Sequence, residues 1–165
     1  MIAWEVTRSC NLNCVHCRAA SHLGPYPGEL STGECLRLID DIARFSQPVI
    51  ILTGGEPLLR QDIFDLAAYG TQKSLRMVMA TNGTLVDEAK VRKMIDSGIQ
   101  RVSISIDGPD AQSHDALRQQ PGAFAGALAG IADEFDGLSD HLQIEAGAHQ
   151  IELRADGYDT YTLQV

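Results

Sequence analysis

Four short runs of β-type residues, IAWEV at 2–6, VIIL at 49–52, LRMVMA at 75–80 and RVSISI at 101–106, constrain this chain more than any other feature. The last three begin about 26 residues apart, and the intervals between the runs carry helical periodicity. Strand, helix and strand at that rhythm form a βα repeat, because parallel neighbours need a crossover of a dozen or more residues. The expected fold class is therefore α/β, with about four parallel βα units forming part of a barrel and the helices outside the sheet.

The helices can be checked one at a time. Ser31 followed by Glu34 has capping-box spacing, and Cys35, Leu38, Ile39, Ile42 and Phe45 then recur at helical intervals on one face. That pattern makes Cys35 a buried core thiol and not a ligand. A second helix is expected over about 62–73 and a third over about 86–97, stopped by Gly98. In RVSISID, Val102, Ile104 and Ile106 share one face while Ser103, Ser105 and Asp107 share the other. With the apolar set packed on helices, the polar set points into the barrel near the C-terminal end of the strand, where functional groups collect.

After about Ile131 the pattern changes. Turn signals (DG, AG, DG) separate LQIEA at 142–146, HQIELRA at 149–155 and YTLQV at 161–165, an antiparallel meander. The expected organisation is a core over 1–131 and a short β tail over 132–165.

Net charge is −9, from 13 basic and 22 acidic residues with no Lys/Arg run, so nucleic acid and anionic membrane surfaces are not expected partners. No apolar stretch approaches the roughly 18 residues of a membrane span. The N-terminus has neither a basic region nor a long apolar one, so no signal peptide is expected and the chain reads as cytoplasmic. In that compartment, three cysteines crowded into one loop point to metal or redox use.

Those three lie in CNLNCVHC, residues 10–17. A structural zinc site wants four ligands, and His16 is held too close to its neighbours to be a comfortable fourth. A thiol-redox pair would use Cys14 and Cys17 and leave Cys10 unexplained. An iron–sulfur cubane accounts for all three and leaves one iron open.

Cys10, Cys14 and Cys17 at spacings of four and three, directly after a first strand, resemble the signature loop of the radical S-adenosylmethionine (radical SAM) enzymes. Three further stretches match in order: Gly54-Gly55-Glu56-Pro57 after the second run, Thr81-Asn82-Gly83 after the third and Ser105-Ile106-Asp107-Gly108 after the fourth. The resemblance implies that the three cysteines hold a 4Fe-4S cluster whose open iron is chelated by SAM. It also implies that reductive cleavage of SAM yields a 5′-deoxyadenosyl radical that abstracts hydrogen from a substrate. It further implies that Gly54, Gly55 and Glu56 receive the SAM amino group, that Ser105 and Asp107 contact the ribose or methionyl end, that Asn82 lines the cofactor site and that His16 lies beside the adenine.

IAWEVTRSCNLNCVHCRAAS is similar to the branch with an added cysteine-rich domain, which includes proteins of haem and haem d1 biosynthesis. The implied substrate is a tetrapyrrole or a peptide, and the implied electron donor a ferredoxin or flavodoxin. A full core of this family has six βα units, so the chain is expected to be a truncated core. Its end, GAHQIELRADGYDTYTLQV, resembles a PEGA-type β-repeat. Two other readings of the same residues are a thiol-redox or zinc module, and a non-catalytic scaffold with a vestigial cluster loop.

Overall fold

The computed structural model describes residues 1–136, 150–153 and 161–164. Four strands, β1 (Ile2–Thr7), β2 (Val49–Gly54), β3 (Arg76–Thr81) and β4 (Val102–Ile104), form one sheet in the order β1-β2-β3-β4. Every neighbouring pair is parallel, as the βα rhythm predicts. The crossovers are α1 (Thr32–Phe45), α2 (Ile63–Gln72) and α3 (Glu88–Asp96), and a 3-10 turn, Pro57–Leu59, sits between β2 and α2.

The core lies between the sheet and these helices. Ile50, Leu52, Met77 and Met79 from β2 and β3 meet Ile39 of α1 and Leu66 of α2, all essentially excluded from solvent. Alternate residues of the strands face the other way, where Val49, Ile51, Val78 and Ala80 help line a concave cavity of about 360 Å³.

The capping box of α1 forms as its spacing predicts: Glu34 N–H donates to Ser31 Oγ at 3.4 Å, and Ser31 N–H donates to Glu34 Oε2 at 2.9 Å. Cys35 is fully buried. Phe45, expected on the same face, is instead 93% exposed. It is the last helical residue, and counting turns at 3.6 residues each carries it past the edge of the arc centred on Cys35, Ile39 and Ile42. Gly98 follows the last turn of α3 with φ +77°, the left-handed stop expected of it.

Beyond β4 the chain forms two helices, α4 (Ala111–Arg118) and α5 (Ala123–Asp136). The break comes at Gln119, in the left-handed conformation at φ 55°, followed shortly by Pro121-Gly122. The expected boundary at 131 falls inside α5. Strands β5 (Gln150–Leu153) and β6 (Tyr161–Gln164) pair antiparallel. The first expected tail strand, at 142–146, and the turns on which the PEGA likeness rests, at 147–149 and 154–160, lie outside the described residues.

One side chain ties the exits of several elements together. Arg60 donates from Nη1 to Val6 O at 2.7 Å and from Nη2 to Leu30 O at 3.0 Å, and it grips Asp62 through two bonds of 2.6 and 3.0 Å. Its Nη2 also lies 3.3 Å from the buried Cys35 Sγ. Arg60→Ala should therefore leave Asp62 with only the Thr32 hydroxyl, take a strong donor from two carbonyls and lower stability by about 2–4 kcal/mol. Urea unfolding checks this; a loss below about 0.5 kcal/mol would show that water replaces the guanidinium at no cost.

Candidate active site

The C-terminal ends of the four parallel strands converge on the cysteine loop. The loop leaves β1 pressed against the exit of β2, where Gly55 N–H donates to Thr7 O and Glu56 N–H to Ser9 O, both at 2.8 Å. This contact is what the two glycines are for. A Cβ on Gly54, whose φ is +138°, would lie 2.1 Å from Thr7 O, and one on Gly55 would lie 2.3 Å from Ser9 O. The opposite wall of the loop is stitched to α4, with Val15 N–H donating to Leu117 O at 2.9 Å and Asn13 N–H to Arg118 O at 3.3 Å.

All three loop cysteines are free thiols; Cys10 is buried, and Cys14 and Cys17 are half-buried. Leu12 N–H points at Cys10 Sγ from 3.4 Å and Ser21 N–H at Cys17 Sγ from 3.3 Å. The Ser21 N–H holds the Cys17 thiol below its ordinary range, whereas burial pushes that of Cys10 up. Among the described residues no three His, Cys, Asp or Glu side chains converge on one ion-sized point. A cubane does not require that, because each thiolate binds a different iron.

Glu56 and Asn82 knit the signature stretches together. Glu56 is wholly buried; its Oε1 accepts from Thr81 Oγ1 at 2.8 Å and Leu58 N–H at 3.1 Å, and its Oε2 accepts from Asn82 N–H at 2.8 Å. Burial pushes this carboxyl above its ordinary value, and the three donors oppose the push. Three of about four acceptor positions on the carboxylate are thus used within the protein. Asn82 Nδ2 donates to Asn11 Oδ1 at 2.9 Å, Asn11 Nδ2 to Thr84 Oγ1 at 2.8 Å, and Thr84 N–H back to Asn82 Oδ1 at 3.0 Å. That ring anchors Asn11, the neighbour of Cys10, to the end of β3.

The end of β4 completes the site. Ser103, Ser105 and Asp107 line a cavity of about 560 Å³ with His16 and Leu117, and Ile104 and Ile106, though largely buried, border it as well, so the alternation of RVSISID separates the two faces only in part. His16 Nε2 lies 3.6 Å from Asp107 Oδ2. Of the residues named from sequence, His16, Ser105 and Asp107 line this cavity, the cysteines form the loop beside it, and Gly54, Gly55, Glu56 and Asn82 support that loop from beneath.

Sequence reasoning missed Arg118 and His114. Arg118, 8% exposed, places Nη1 3.7 Å from Cys14 Sγ, donates from Nη2 to Ser105 O at 3.4 Å, and pairs through Nε with Asp107 Oδ2 at 2.6 Å, though that N–H is not aimed along the contact. His114 Nδ1 accepts from Asp107 N–H at 3.1 Å, so the ring proton sits on Nε2, which is buried with no partner among the described residues. Burial, and then the Arg118 charge, hold this imidazole below its ordinary range. The two side chains are four apart on α4, the one sequence signal that could have joined them, but a polar pair at that spacing usually marks a solvated face.

These residues fit an anionic iron–sulfur group. Three thiols stand in one loop, backbone N–H groups aim at two of the sulfurs, a buried guanidinium lies beside the third, and a polar cavity opens alongside.

The model of the radical SAM superfamily matches residues 4–133. Over 131 residues the chain is 57% identical to the AdoMet-dependent heme synthase of Nitratidesulfovibrio vulgaris and 42% identical to the pre-heme d1 synthase of Dinoroseobacter shibae. Each alignment covers 79% of this chain but only 36% and 32% of those proteins, so the chain spans about a third of their length. Among solved structures, native anSMEcpe with bound AdoMet shares the fold with a TM-score of 0.66 at 19% identity, over 81% of this chain and 40% of that one. The parallel sheet, the cysteine loop at its C-terminal edge and the match over residues 4–133 place this chain in the radical SAM superfamily.

Proposed function

We propose that Cys10, Cys14 and Cys17 hold a 4Fe-4S cluster, and that SAM binds in the cavity lined by His16, Ser105 and Asp107 to serve radical chemistry on a tetrapyrrole. The observation that carries this reading is the loop itself: three free thiols with a buried cation at one side and a polar cavity at the other. When bound, cluster and SAM supply a 5′-deoxyadenosyl radical after one-electron reduction.

The chain's own residues orient and neutralise. Arg118 offsets negative charge beside Cys14 and, held against the Ser105 carbonyl and Asp107, supplies positive charge behind the cavity wall. His16 offers a half-exposed ring beside the cavity for an adenine, and the Ser105 and Asp107 side chains offer partners to ribose hydroxyls. Glu56 and Asn82 serve the SAM end through the backbone they fix, because the Glu56 carboxylate is engaged by Thr81 and by the Leu58 and Asn82 N–H groups, and the Asn82 side chain by Asn11 and Thr84. The haem-pathway names of the relatives favour a tetrapyrrole over a peptide.

The reductant this reading requires is a one-electron carrier such as a ferredoxin or flavodoxin, and an oxygen-sensitive cluster belongs in a reducing cytoplasm. Among the described residues no helix is long and apolar enough to cross a membrane.

Anaerobic reconstitution with iron and sulfide should load about four irons per chain with broad visible absorption, and Cys10→Ala/Cys14→Ala/Cys17→Ala should abolish both. One tightly bound zinc in place of iron, or iron retained by the triple variant, would overturn the reading. SAM added to the reduced, loaded protein should alter its electron paramagnetic resonance spectrum and give 5′-deoxyadenosine.

A further inference from the structure

The chain returning from the cysteine loop bonds directly to its entry, and one tyrosine braces the returning arm at His22. Ser9 and His22 pair as an isolated parallel bridge, Cys10 N–H donates to His22 O at 3.1 Å, and Gly24 N–H donates to Ser9 Oγ at 2.9 Å. His22 is in turn gripped by Tyr26, whose hydroxyl accepts from His22 N–H at 2.9 Å and lies 2.7 Å from His22 Nδ1 and 3.2 Å from His22 O. A hydroxyl has one proton and two lone pairs, so accepting the N–H and donating to the ring leaves it nearly saturated by a single residue.

The tyrosine ring is itself held. The Arg8 guanidinium stands 5.0 Å from its centroid while Arg8 Nε donates to Ala19 O at 3.0 Å. The His22 and Tyr26 rings meet edge to face, with centroids 5.1 Å apart.

We infer that Tyr26 is a positioning residue for the cluster, a clamp that closes the loop carrying Cys10, Cys14 and Cys17 at its base. The reasoning rests on the cluster reading proposed above. His22 is pinned through its N–H by Tyr26, so its carbonyl is presented in one place to the Cys10 N–H. Ser21, the residue before it, supplies the N–H that points at Cys17 Sγ. One hydroxyl therefore sets the surroundings of two of the three thiols. Cys14 is outside its reach, because that part of the loop is fixed from the other side by Leu117 and Arg118.

The test is the rate at which a strong iron chelator strips the reconstituted, oxygen-free protein, read beside its paramagnetic resonance spectrum and the unfolding midpoint of the iron-free chain. Tyr26→Phe keeps the ring and its Arg8 contact and removes only the hydroxyl. It should release iron about 2- to 10-fold faster, the range one net hydrogen bond supports, with a broadened spectrum and a midpoint near that of wild type. Tyr26→Leu, lacking the ring as well, should be faster still, and Tyr69→Phe on α2 should match wild type.

Equal release and equal spectra for wild type and Tyr26→Phe would overturn the clamp. Should Tyr26→Phe not fold, amide hydrogen exchange of the His22 N–H in the wild-type chain gives the reading instead, with protection supporting the clamp and exchange as fast as in an open loop overturning it. A wild-type chain that takes up no iron counts against the cluster reading itself, which keeps the two failures apart.

Discussion

Gly54→Ala is expected to destabilise the fold by about 2–5 kcal/mol and to abolish cluster uptake. Two costs add at that position. Its φ of +138° is one that side-chain-bearing residues rarely adopt, and the new Cβ would stand 2.1 Å from Thr7 O. Relief by a backbone shift is blocked, since Thr7 O already accepts from Gly55 N–H and Ser9 O from Glu56 N–H. Any movement that frees the methyl breaks the two bonds that seat the cysteine loop on β2. Against a total stability of about 5–15 kcal/mol for a domain, such a loss removes a large share of the margin, and at its upper end leaves a domain of low stability partly unfolded. Urea midpoints at an unchanged slope measure it; a shift below about 1 kcal/mol would mean that the β1–β2 exit is looser than these distances require.

These glycines also mark the boundary between what sequence reveals and what it hides. Their presence is legible, and so is the reason that a backbone must come close. What comes close is not legible: the partner is the protein's own β1 exit, a contact between residues nearly fifty positions apart. The strands and three of the helices could be read because alternation, helical periodicity and caps are local signals. Cys10, Cys14 and Cys17 stood out because three thiols within eight positions are a local signal.

Arg118 and His114 were not legible. Their roles arise from the turn at Gln119–Gly122, which lays α4 against the cysteine loop and buries two polar residues that any helical wheel would assign to water. Phe45 fails in the opposite sense, an apolar residue left in solvent because its helix ends there. Glu56 was legible as an acid at the site, but its engagement with Leu58, Thr81 and Asn82 depends on β3 lying beside β2, a pairing that sequence spacing implies without giving its register.

Glu56→Gln, which preserves size and shape, is accordingly expected to cost about 1–3 kcal/mol at neutral pH and to loosen Cys10. Three donors meet this carboxylate, and an amide offers one oxygen. With the amide oxygen toward Thr81 and Leu58, its NH₂ group faces Asn82 N–H; flipped, the NH₂ group faces Leu58 N–H. Thr81 can turn its hydroxyl, although it also accepts from Gly83 N–H at 3.1 Å, but neither backbone N–H can turn. One buried donor is therefore left without an acceptor in either orientation. The strain passes along a defined route, from Asn82 N–H to its side chain, to Asn11, and so to the residue beside Cys10. Thr81→Val removes one of the three donors, so the double variant should lose less than the sum of the singles, with a coupling of about 0.5–3 kcal/mol. Strict additivity in a double-mutant cycle, together with unimpaired iron uptake by Glu56→Gln, would show that Glu56 does not organise the loop. A coupled loss of stability and uptake is the outcome that this geometry requires.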